Sequence, residues 1–110
     1  MNMRGTRFGD AKFGIGDVIH HLKFDYRGVI VDVDASFQGG DDWYEKMALS
    51  RPPKQLPWYH VLVDGADHAT YVAERHLESD ESGEPIRHPL LEQFFDVFRG
   101  GRYRRQTPLN

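Results

Sequence analysis

The sequence predicts a mainly β protein, folded as a small antiparallel β-barrel with a helical insertion and a short C-terminal helix. Three observations lead to this fold class. Apolar and polar residues alternate over residues 27–34, which is the pattern of a half-buried strand. The Asp64-Gly65 step lies between two apolar runs, and such a step is typical of a tight hairpin turn. The strands predicted in this way are short and closely spaced, as in small barrels.

Length and composition limit the possible classes of protein. A chain of 110 residues is long enough for one domain with one small core. Its aromatic content of 13% exceeds that of most disordered chains, so the chain should fold. It has no run of about 18 apolar residues that would span a bilayer, and residues 1–13 lack the apolar region of a secretory signal. The absence of cysteine excludes disulfides and thiolate chemistry and favours a cytoplasmic location.

The strands of the barrel are expected in four segments. These are residues 18–22, 27–34, 58–64 and 68–74. In the second strand, Val29, Val31 and Val33 should share one face, and in the third Tyr59, Val61 and Val63 should do so. Gly28 suits either a bulge or a close crossing of two backbones. Residues 76–78 should form one turn of 3₁₀ helix or a short closing strand.

Residues 35–57 interrupt the β pattern and form a long insertion. Asp41 and Asp42 are expected to cap a short helix in which Trp43 and Met47 lie one turn apart, and the segment 51–53 should end it. Long ordered loops in small domains are often functional. In the alternative interpretation, Trp43, Tyr44 and Met47 simply cover an open end of the sheet.

The C-terminal part separates into a linker, a helix and a tail. Residues 79–88 are polar and Pro89 can open a helix. One side of this helix would carry Leu90, Leu91, Phe94, Phe95 and Phe98, and Gly100-Gly101 would end it. The helix packs on its own barrel or on another subunit, and the sequence does not choose between them. The predicted organisation is a flexible leader 1–11, a barrel domain 12–78, and a C-terminal part 79–110 that ends in a basic tail.

Charge is distributed unevenly along the chain. Residues 1–98 carry ten basic and seventeen acidic residues, whereas residues 99–110 carry four arginines and no acid. Non-specific affinity for nucleic acid comes mostly from phosphate neutralisation by lysine and arginine, so the acidic body is a poor generic polyanion binder. Any contact with DNA must therefore use a local basic patch. The tail is either a solvated end or a docking element.

The residue patterns of the common catalytic and cofactor sites are missing. The sequence has no phosphate-binding loop, no Rossmann glycine fingerprint and no nucleophile elbow. Asp32 and Asp34 share a strand face, but they have no confirming partner in the sequence. His20, His60 and His68 lie in or beside strands without the spacing of a metal motif. We therefore predict a non-enzymatic protein without catalytic residues, metal or cofactor.

Two loops bring basic residues close to aromatic ones. Lys23 and Arg27 bracket the first hairpin turn, and a second basic pair precedes the Trp-Tyr-His segment at the start of the third strand. That segment is either a recognition surface or a packed rim of the barrel. The candidate residues for binding DNA or another partner are Lys23, Arg27, Arg51, Lys54, Trp58, Tyr59, His60 and Arg75.

Four blocks of the sequence together resemble a known family. They are residues 13–21, residues 26–30 followed by Asp32 and Asp34, residues 57–63, and residues 70–74 followed by Leu77. Over about residues 12–103 the chain resembles the HspQ family of bacterial heat-shock proteins, also called YccV-like or hemimethylated DNA-binding domains. The resemblance implies an SH3-like β-barrel without enzymatic activity, in a cytoplasmic protein that self-associates, with a trimer as the expected form.

The resemblance implies two functions with different mechanisms. One is assistance to an ATP-dependent protease of the Lon type in heat-shock quality control, including turnover of the replication initiator. The other is binding of hemimethylated DNA at replication-origin sequences. The acidic body favours the proteolytic role, with Lon-type protease and its substrates as partners. The tail would then be a docking element, with Arg99, Arg102, Tyr103, Arg104 and Arg105 as its residues.

Overall fold

The computed structural model describes residues 11–106, which form seven strands, two short α-helices and a 3₁₀ turn. The strands of the main sheet are β1 (Val18–His21), β2 (Arg27–Asp34), β3 (Trp58–Val63), β4 (Ala69–Ala73) and β5 (Leu77–Ser79). The remaining elements are α1 (Asp41–Met47), the 3₁₀ turn (Glu74–His76), α2 (Leu91–Phe94), β6 (Val97–Arg99) and β7 (Arg102–Arg104). The predicted leader, apart from Ala11, and the last four residues of the predicted tail lie outside the described residues. No helix within residues 11–106 is long and apolar enough to cross a bilayer.

The prediction of a mainly β fold is confirmed. All pairings in the main sheet are antiparallel, in the order β4-β3-β2-β1-β5, and β6 pairs with β7 in a separate hairpin. The bridge between Asp17 and Arg102 joins the hairpin to the beginning of β1. Strand β2 has the predicted bounds. After β4 the sequence predicts either a 3₁₀ turn or a short closing strand, and the structure has both, with β5 directly after the 3₁₀ turn. Among the described residues, β4 and β5 are the two edges of the main sheet.

A bulge in β2 corrects the predicted faces of this strand. The register to β3 shifts between Ile30 and Asp32, because Val31 is an extra residue in the ladder. Val29 and Val33 consequently lie in different cores and do not share a face as predicted. Gly28 marks the close crossing and not the bulge, because a Cβ there would lie 2.4 Å from the Val61 side chain.

Both faces of the sheet are covered, and a third cluster closes one end. The first core contains Ile19, Ile30, Val33, Tyr59, Val61, Val72 and Leu77. The second core, on the other face, contains Val18, Val29, Leu62, Ile86, Phe95 and Tyr103. The aromatic cluster contains Tyr44, Ala48, Trp58 and Ala73, with Phe37, Trp43 and Tyr71 packed against it. Trp43 and Tyr44 of the insertion therefore cover an end of the sheet, as the alternative interpretation predicts, whereas Met47, the third residue of that interpretation, is exposed.

Helix α1 forms at the predicted place but begins differently. Its N-cap is Gly40, and no side chain caps the helix by a hydrogen bond. Asp41 and Asp42 lie in its first turn, where carboxylates interact favourably with the helix dipole. Tyr44 is buried and its hydroxyl donates to the Pro52 carbonyl at 2.7 Å, which fixes the helix to the following loop.

The predicted C-terminal helix is mostly wrong. Helix α2 has only one turn, and Phe98 belongs to β6. Gly100 and Gly101, at φ of 63° and 78°, form a hairpin turn and do not end a helix. The segment packs on its own chain, because Phe95 and Tyr103 complete the second core. A Gly-Gly pair is itself a signal of a two-residue hairpin loop, and here it outweighs the helical spacing of the preceding apolar residues.

Candidate functional site

A groove with a volume of about 520 Å³ runs along β4. We call it the β4 groove. It is formed by the turn between β1 and β2, α1 with the loop after it, the beginning of β3, the whole of β4 and the end of the 3₁₀ turn. Its lining residues are His21, Lys23, Phe24, Tyr26, Trp43, Met47, Ala48, Leu49, Ser50, Pro52, Trp58, His60, Ala69, Thr70, Tyr71, Val72, Ala73 and His76. Its volume falls within the range of ligand-binding clefts.

Large apolar side chains are exposed at the groove. Phe24, Met47 and Leu49 are exposed to 68%, 64% and 75% respectively. Trp58, in contrast, is 2% exposed and lies in the aromatic cluster. Three exposed apolar side chains around one concave surface are typical of an interaction site, whereas scattered ones are ordinary.

The groove differs from the rest of the protein in charge. The whole chain has a net charge of −3, yet the lining contains neither aspartate nor glutamate. Its ionisable groups other than tyrosine are Lys23 and the histidines His21, His60 and His76. Apolar or acidic ligands therefore meet no carboxylate among the residues that line this surface.

His21 holds the turn between β1 and β2 that forms part of the groove. The imidazole is 4% exposed, and its Nδ1 accepts the backbone N–H groups of Lys23 at 3.1 Å and of Phe24 at 3.0 Å. Its ring stacks on Tyr26 and on His76, at centroid distances of 4.9 and 5.6 Å. Burial, together with the nearby charges of His76, His20 and Lys23, lowers the pKa of His21 to about 4. The imidazole is therefore neutral at pH 7, the form that accepts both bonds.

A cluster beside the groove contains three side chains that could ligate a metal. The ligand atoms of Asp32, Asp34 and His60 lie within 4.8 Å of one another. Asp34 already accepts the Tyr71 hydroxyl at 2.7 Å and contacts His60 Nε2 at 3.1 Å. Burial and the bond to Asp34 raise the pKa of Tyr71 to about 12. These internal bonds account for the arrangement of the cluster without a cation.

The histidines considered as joint metal ligands have separate partners. His20 contacts Asp25 at 2.6 Å and Glu78 at 2.9 Å. His60 contacts Asp34, as described above, and His68 is exposed near Asp67 at 4.0 Å. Within residues 11–106, the cluster around Asp34 is the one group of three potential ligands that includes any of these histidines.

Arg27, one of the candidate DNA contacts, forms internal interactions. Its guanidinium lies 3.2 Å from Asp64 and 3.1 Å from Asp80, and it donates to the Glu84 carbonyl at 2.5 Å. It therefore joins β2 to the segment after β5. A phosphate contact would have to compete with two carboxylates.

The other basic candidates are more exposed, and most have partners nearby. Arg51 pairs with Glu45 at 2.8 Å. Lys54 lies 3.4 Å from Asp41 and 4.3 Å from the centre of the Tyr44 ring. Arg75 donates to the Ser50 carbonyl at 2.5 Å, and Lys23 lies 5.6 Å from the Phe24 ring. The predicted set does not form one basic groove free of acids.

The aromatic candidates at the start of β3 differ in exposure. Trp58 donates its indole N–H to the Pro53 carbonyl at 3.1 Å and lines the groove. Tyr59 is fully buried in the first core, where its hydroxyl donates to Glu74 at 2.6 Å; burial first, and this bond second, raise its pKa. His60 keeps 41% of its side chain exposed. Of the three, His60 is the one placed to meet a partner directly.

The predicted basic tail is a structured hairpin in residues 97–104, which we call the arginine hairpin. Arg99 faces Arg102 in the ladder, and Arg104 lies on the same face two residues further on. Tyr103 points the other way and is 6% exposed in the second core. Arg105 donates to the carbonyls at the end of α2 at 2.5 and 3.1 Å. Three of the four arginines thus form a patch, and Arg102 is paired with Asp17 at 2.8 Å.

Sequence reasoning missed the exposed apolar residues of the β4 groove. Phe24 lies between Lys23 and Asp25 in a turn, and Leu49 precedes a serine in a loop. A large apolar residue in a polar turn was the available signal, because such a residue has no strand or helix face to bury it. The groove itself was not visible in the sequence, since it joins segments far apart in the chain.

Fold and site together define a small mainly β binding domain, with an apolar groove on one side and an arginine patch on a separate hairpin. Comparison with protein families identifies the family to which this domain belongs. Residues 11–102 match the model of the YccV-like family, described as "Hemimethylated DNA-binding protein YccV like". The chain belongs to this family, a family of small binding and regulatory domains, and the resemblance to HspQ and YccV-like proteins is confirmed.

Proposed function

We propose that this chain is a non-enzymatic regulatory protein of the HspQ type that assists ATP-dependent proteolysis of the Lon type, including turnover of the replication initiator, in the cytoplasm. The observation that carries the proposal is the β4 groove. A surface with three exposed apolar side chains and no acidic lining residue suits an unfolded or loosely folded protein partner. The internal pairing of Arg27 and the carboxylates beside Arg51 and Lys54 reduce the attraction of the predicted loops for a duplex.

We further propose that the sheet has the curvature of an SH3-like barrel. A flat five-stranded sheet separates its edge strands by about 19 Å, at 4.8 Å per strand. The 3₁₀ turn nevertheless connects the end of β4 at Ala73 to the start of β5 at Leu77. Four residue steps span at most about 14 Å, so the two edges must approach each other at this corner. This supports a sheet rolled almost into a barrel.

A test of the proteolytic role uses the purified full chain with an ATP-dependent Lon-type protease and casein as an unfolded substrate. We expect the degradation rate to rise with the concentration of this protein and to saturate. Leu49→Ser should weaken the effect, whereas Leu56→Ser, at a leucine that is 48% exposed and outside the groove, should not. An unchanged rate at saturating concentration overturns the role in Lon-type proteolysis.

Point variants must replace truncation in tests of the tail. Removal of residues 100–110 would take Tyr103 from the second core as well as the arginines from the surface. Arg99→Gln with Arg104→Gln removes two exposed charges and leaves Tyr103 in place. If the hairpin is the docking element, this double variant should require a higher concentration for half-maximal stimulation. Equal stimulation by the double variant would exclude docking through these two arginines.

Binding of hemimethylated DNA is the second candidate function. The description of the family names this activity, and the arginine hairpin offers a more compact basic patch than the predicted loops. Unmethylated, hemimethylated and fully methylated duplexes should be compared at about 50 and 200 mM salt. A preference for the hemimethylated duplex that persists at the higher salt would establish a DNA reader. Binding that ignores methylation and disappears with salt would leave only phosphate attraction.

The resemblance also leads us to propose a homo-oligomer, with a trimer as the expected form. An oligomer would multiply both the β4 groove and the arginine hairpin, so that weak single contacts gain from avidity. Light scattering in the buffer of the binding experiments gives the mass. A monomeric mass at the concentrations of the proteolysis assay would show that self-association is not needed for the effect.

A further inference from the structure

We propose that the β4 groove binds an extended segment of a partner protein, which adds to the main sheet as a further strand alongside β4. The proposal rests on the proposed function for the identity of the partner as a protein. It adds the mode of binding, strand addition at an open sheet edge, in which main-chain hydrogen bonds give affinity and side-chain pockets give selectivity.

The peptide groups on the outer side of β4 are the first step of the argument. The Val63 N–H donates to the His68 carbonyl at 3.3 Å, and the Glu74 N–H donates to the Pro57 carbonyl at 3.1 Å. Hydrogen-bonded pairs alternate in an antiparallel ladder, so residues between these two bonds alternate in direction. The N–H and C=O groups of Ala69 and Tyr71 therefore point away from β3, towards the open edge.

The second step is that this edge carries no lysine, proline, bulge or charged residue. Natural edge strands are blunted by lysine, proline, bulges or inward-pointing charges. Strand β4 has the sequence Ala-Thr-Tyr-Val-Ala, and its register to β3 is regular along all five residues. All five residues also line the groove. Val72 and Ala73 are buried, so the exposed and half-buried beginning of β4, residues 69–71, is the part that can act as a template for another strand.

The walls of the groove favour a single extended segment over a second folded copy of this chain. Phe24, on the turn after β1, and Leu49, on the loop after α1, are both exposed beside β4. The hydroxyl groups of Tyr26, in the same turn, and Thr70 form a hydrogen bond of 2.7 Å, so this turn is held against the strand. A second copy would have to place its own β4 and both flanking segments into the same space. A single added strand, in contrast, places only every second one of its side chains in the groove.

Charge selects among extended segments. The lining has no carboxylate, and Lys23 is its only lysine or arginine. A segment rich in lysine or arginine would find no carboxylate to pair with in the lining and would be repelled by Lys23. We therefore infer that the partner segment alternates apolar and small polar residues and carries an acidic residue that can reach Lys23.

The probe for the test is a fluorescein-labelled peptide of about eight residues that alternates valine and threonine and ends in glutamate. Two further peptides carry N-methyl groups on every second amide. In one peptide the methylated amides lie along one edge of the strand, and in the other they lie along the opposite edge. Strand addition uses the N–H groups of one edge only. We expect saturable binding of the parent peptide, a loss of about tenfold or more in affinity for one methylated peptide, and little change for the other. Equal affinities of all three peptides, or equal losses for both methylated ones, overturn strand addition.

Variants of the protein give the matching measurement. Ala69 is exposed, is the first residue of β4 and has its N–H on the outer side, so Ala69→Pro removes that donor while keeping the ladder to β3. Ala69→Ser retains the donor. We expect about tenfold weaker peptide binding for Ala69→Pro and nearly unchanged binding for Ala69→Ser, with similar circular dichroism. Unchanged binding by a folded Ala69→Pro variant overturns the proposal.

The outcomes separate this proposal from the proposed function. Edge-selective peptide binding without any effect on Lon-type proteolysis leaves strand addition standing and overturns the protease role. If this protein stimulates proteolysis and Ala69→Pro does not alter that stimulation, the protease role stands and strand addition is overturned. An Ala69→Pro variant that lowers the oligomeric mass would show that a second copy occupies the edge, and this result also overturns the proposal.

Discussion

The β4 groove and the arginine hairpin place opposite kinds of exposed residue on separate parts of one small fold. The groove exposes Phe24, Met47 and Leu49 and has no acidic lining residue, whereas the hairpin exposes arginines and turns Tyr103 inward. The groove depends on a turn held by a neutral histidine. The hairpin depends on one buried tyrosine. From this difference we expect acid near pH 4 to perturb the apolar surface and changes in core packing to perturb the basic surface, so the two can be perturbed separately.

The largest expected effect comes from removing the anchor of the hairpin. The Tyr103 hydroxyl accepts the Ile86 N–H at 2.7 Å, and its ring lies 4.5 Å from that of Phe98 and 5.5 Å from that of Phe95. Tyr103→Ala should lower the free energy of unfolding by about 3–5 kcal/mol, because it leaves a cavity in the second core. Tyr103→Phe should cost about 1–3 kcal/mol through the unpaired Ile86 N–H. Urea unfolding followed by fluorescence measures both.

The control for this prediction is Arg104→Gln, which changes the next residue without touching the second core. It should leave the midpoint of unfolding nearly unchanged, since Arg104 is exposed. If Tyr103→Ala were as stable as the unchanged protein, residues 97–104 would be a tail that rests on the fold and does not belong to it.

The next effect concerns pH and the groove. The pKa of His21 is lowered from 6.5 to about 4 in the folded protein, so the unfolded chain takes up its proton first as the pH falls. Stability should therefore decrease from about pH 6.5 to about pH 4, by about 3 kcal/mol from this residue. His76, whose pKa is lowered by burial and by Arg75 and Lys23, acts in the same direction. His20 acts oppositely, because its bonds to Asp25 and Glu78 raise its pKa.

His21→Asn separates the histidine from the general effect of acid. The asparagine carbonyl offers an acceptor near the position of Nδ1 and does not titrate in this range. Urea unfolding at pH 7 and pH 5 should show a smaller loss of stability for the variant than for the unchanged protein. Peptide binding to the groove should also become less sensitive to acid near pH 4, where the folded protein protonates the Nδ1 that holds the turn carrying Phe24. Equal pH dependence in both proteins would contradict this account of His21.

Local patterns were enough to predict most of the main sheet, and the failures have identifiable causes. Strand β2 was predicted with its observed bounds because its residues alternate and Gly28 precedes a regular apolar run. The bulge at Val31 was invisible, because an extra residue exchanges the two faces without any special residue type. The hairpin after Phe95 was mistaken for helix, because apolar residues at helical spacing also occur in a turn followed by a strand.

The candidate site was less predictable than the fold. Three of the candidate contacts, Lys23, Trp58 and His60, line the β4 groove, but the internal partners of Arg27 could not be seen from the sequence. Those partners come from segments about 37 or more residues away, and a single sequence carries no record of such contacts. The open edge of β4 depends on the order of strands in the sheet. No local pattern in Ala69–Ala73 distinguishes an edge strand from a central one.

The smallest effect concerns the charges on the hairpin itself. Arg99 and Arg102 face each other in the ladder, and like charges at facing positions are destabilising. Arg99→Gln should raise the free energy of unfolding by a few tenths of a kcal/mol at low salt, and the gain should shrink as salt screens the repulsion. Arg104→Gln makes the same charge change opposite Val97, where there is no facing cation, and should give no comparable gain. A loss of stability in Arg99→Gln would show that the two arginines share an anionic partner, and the arginine patch would then be a site and not merely a charged face.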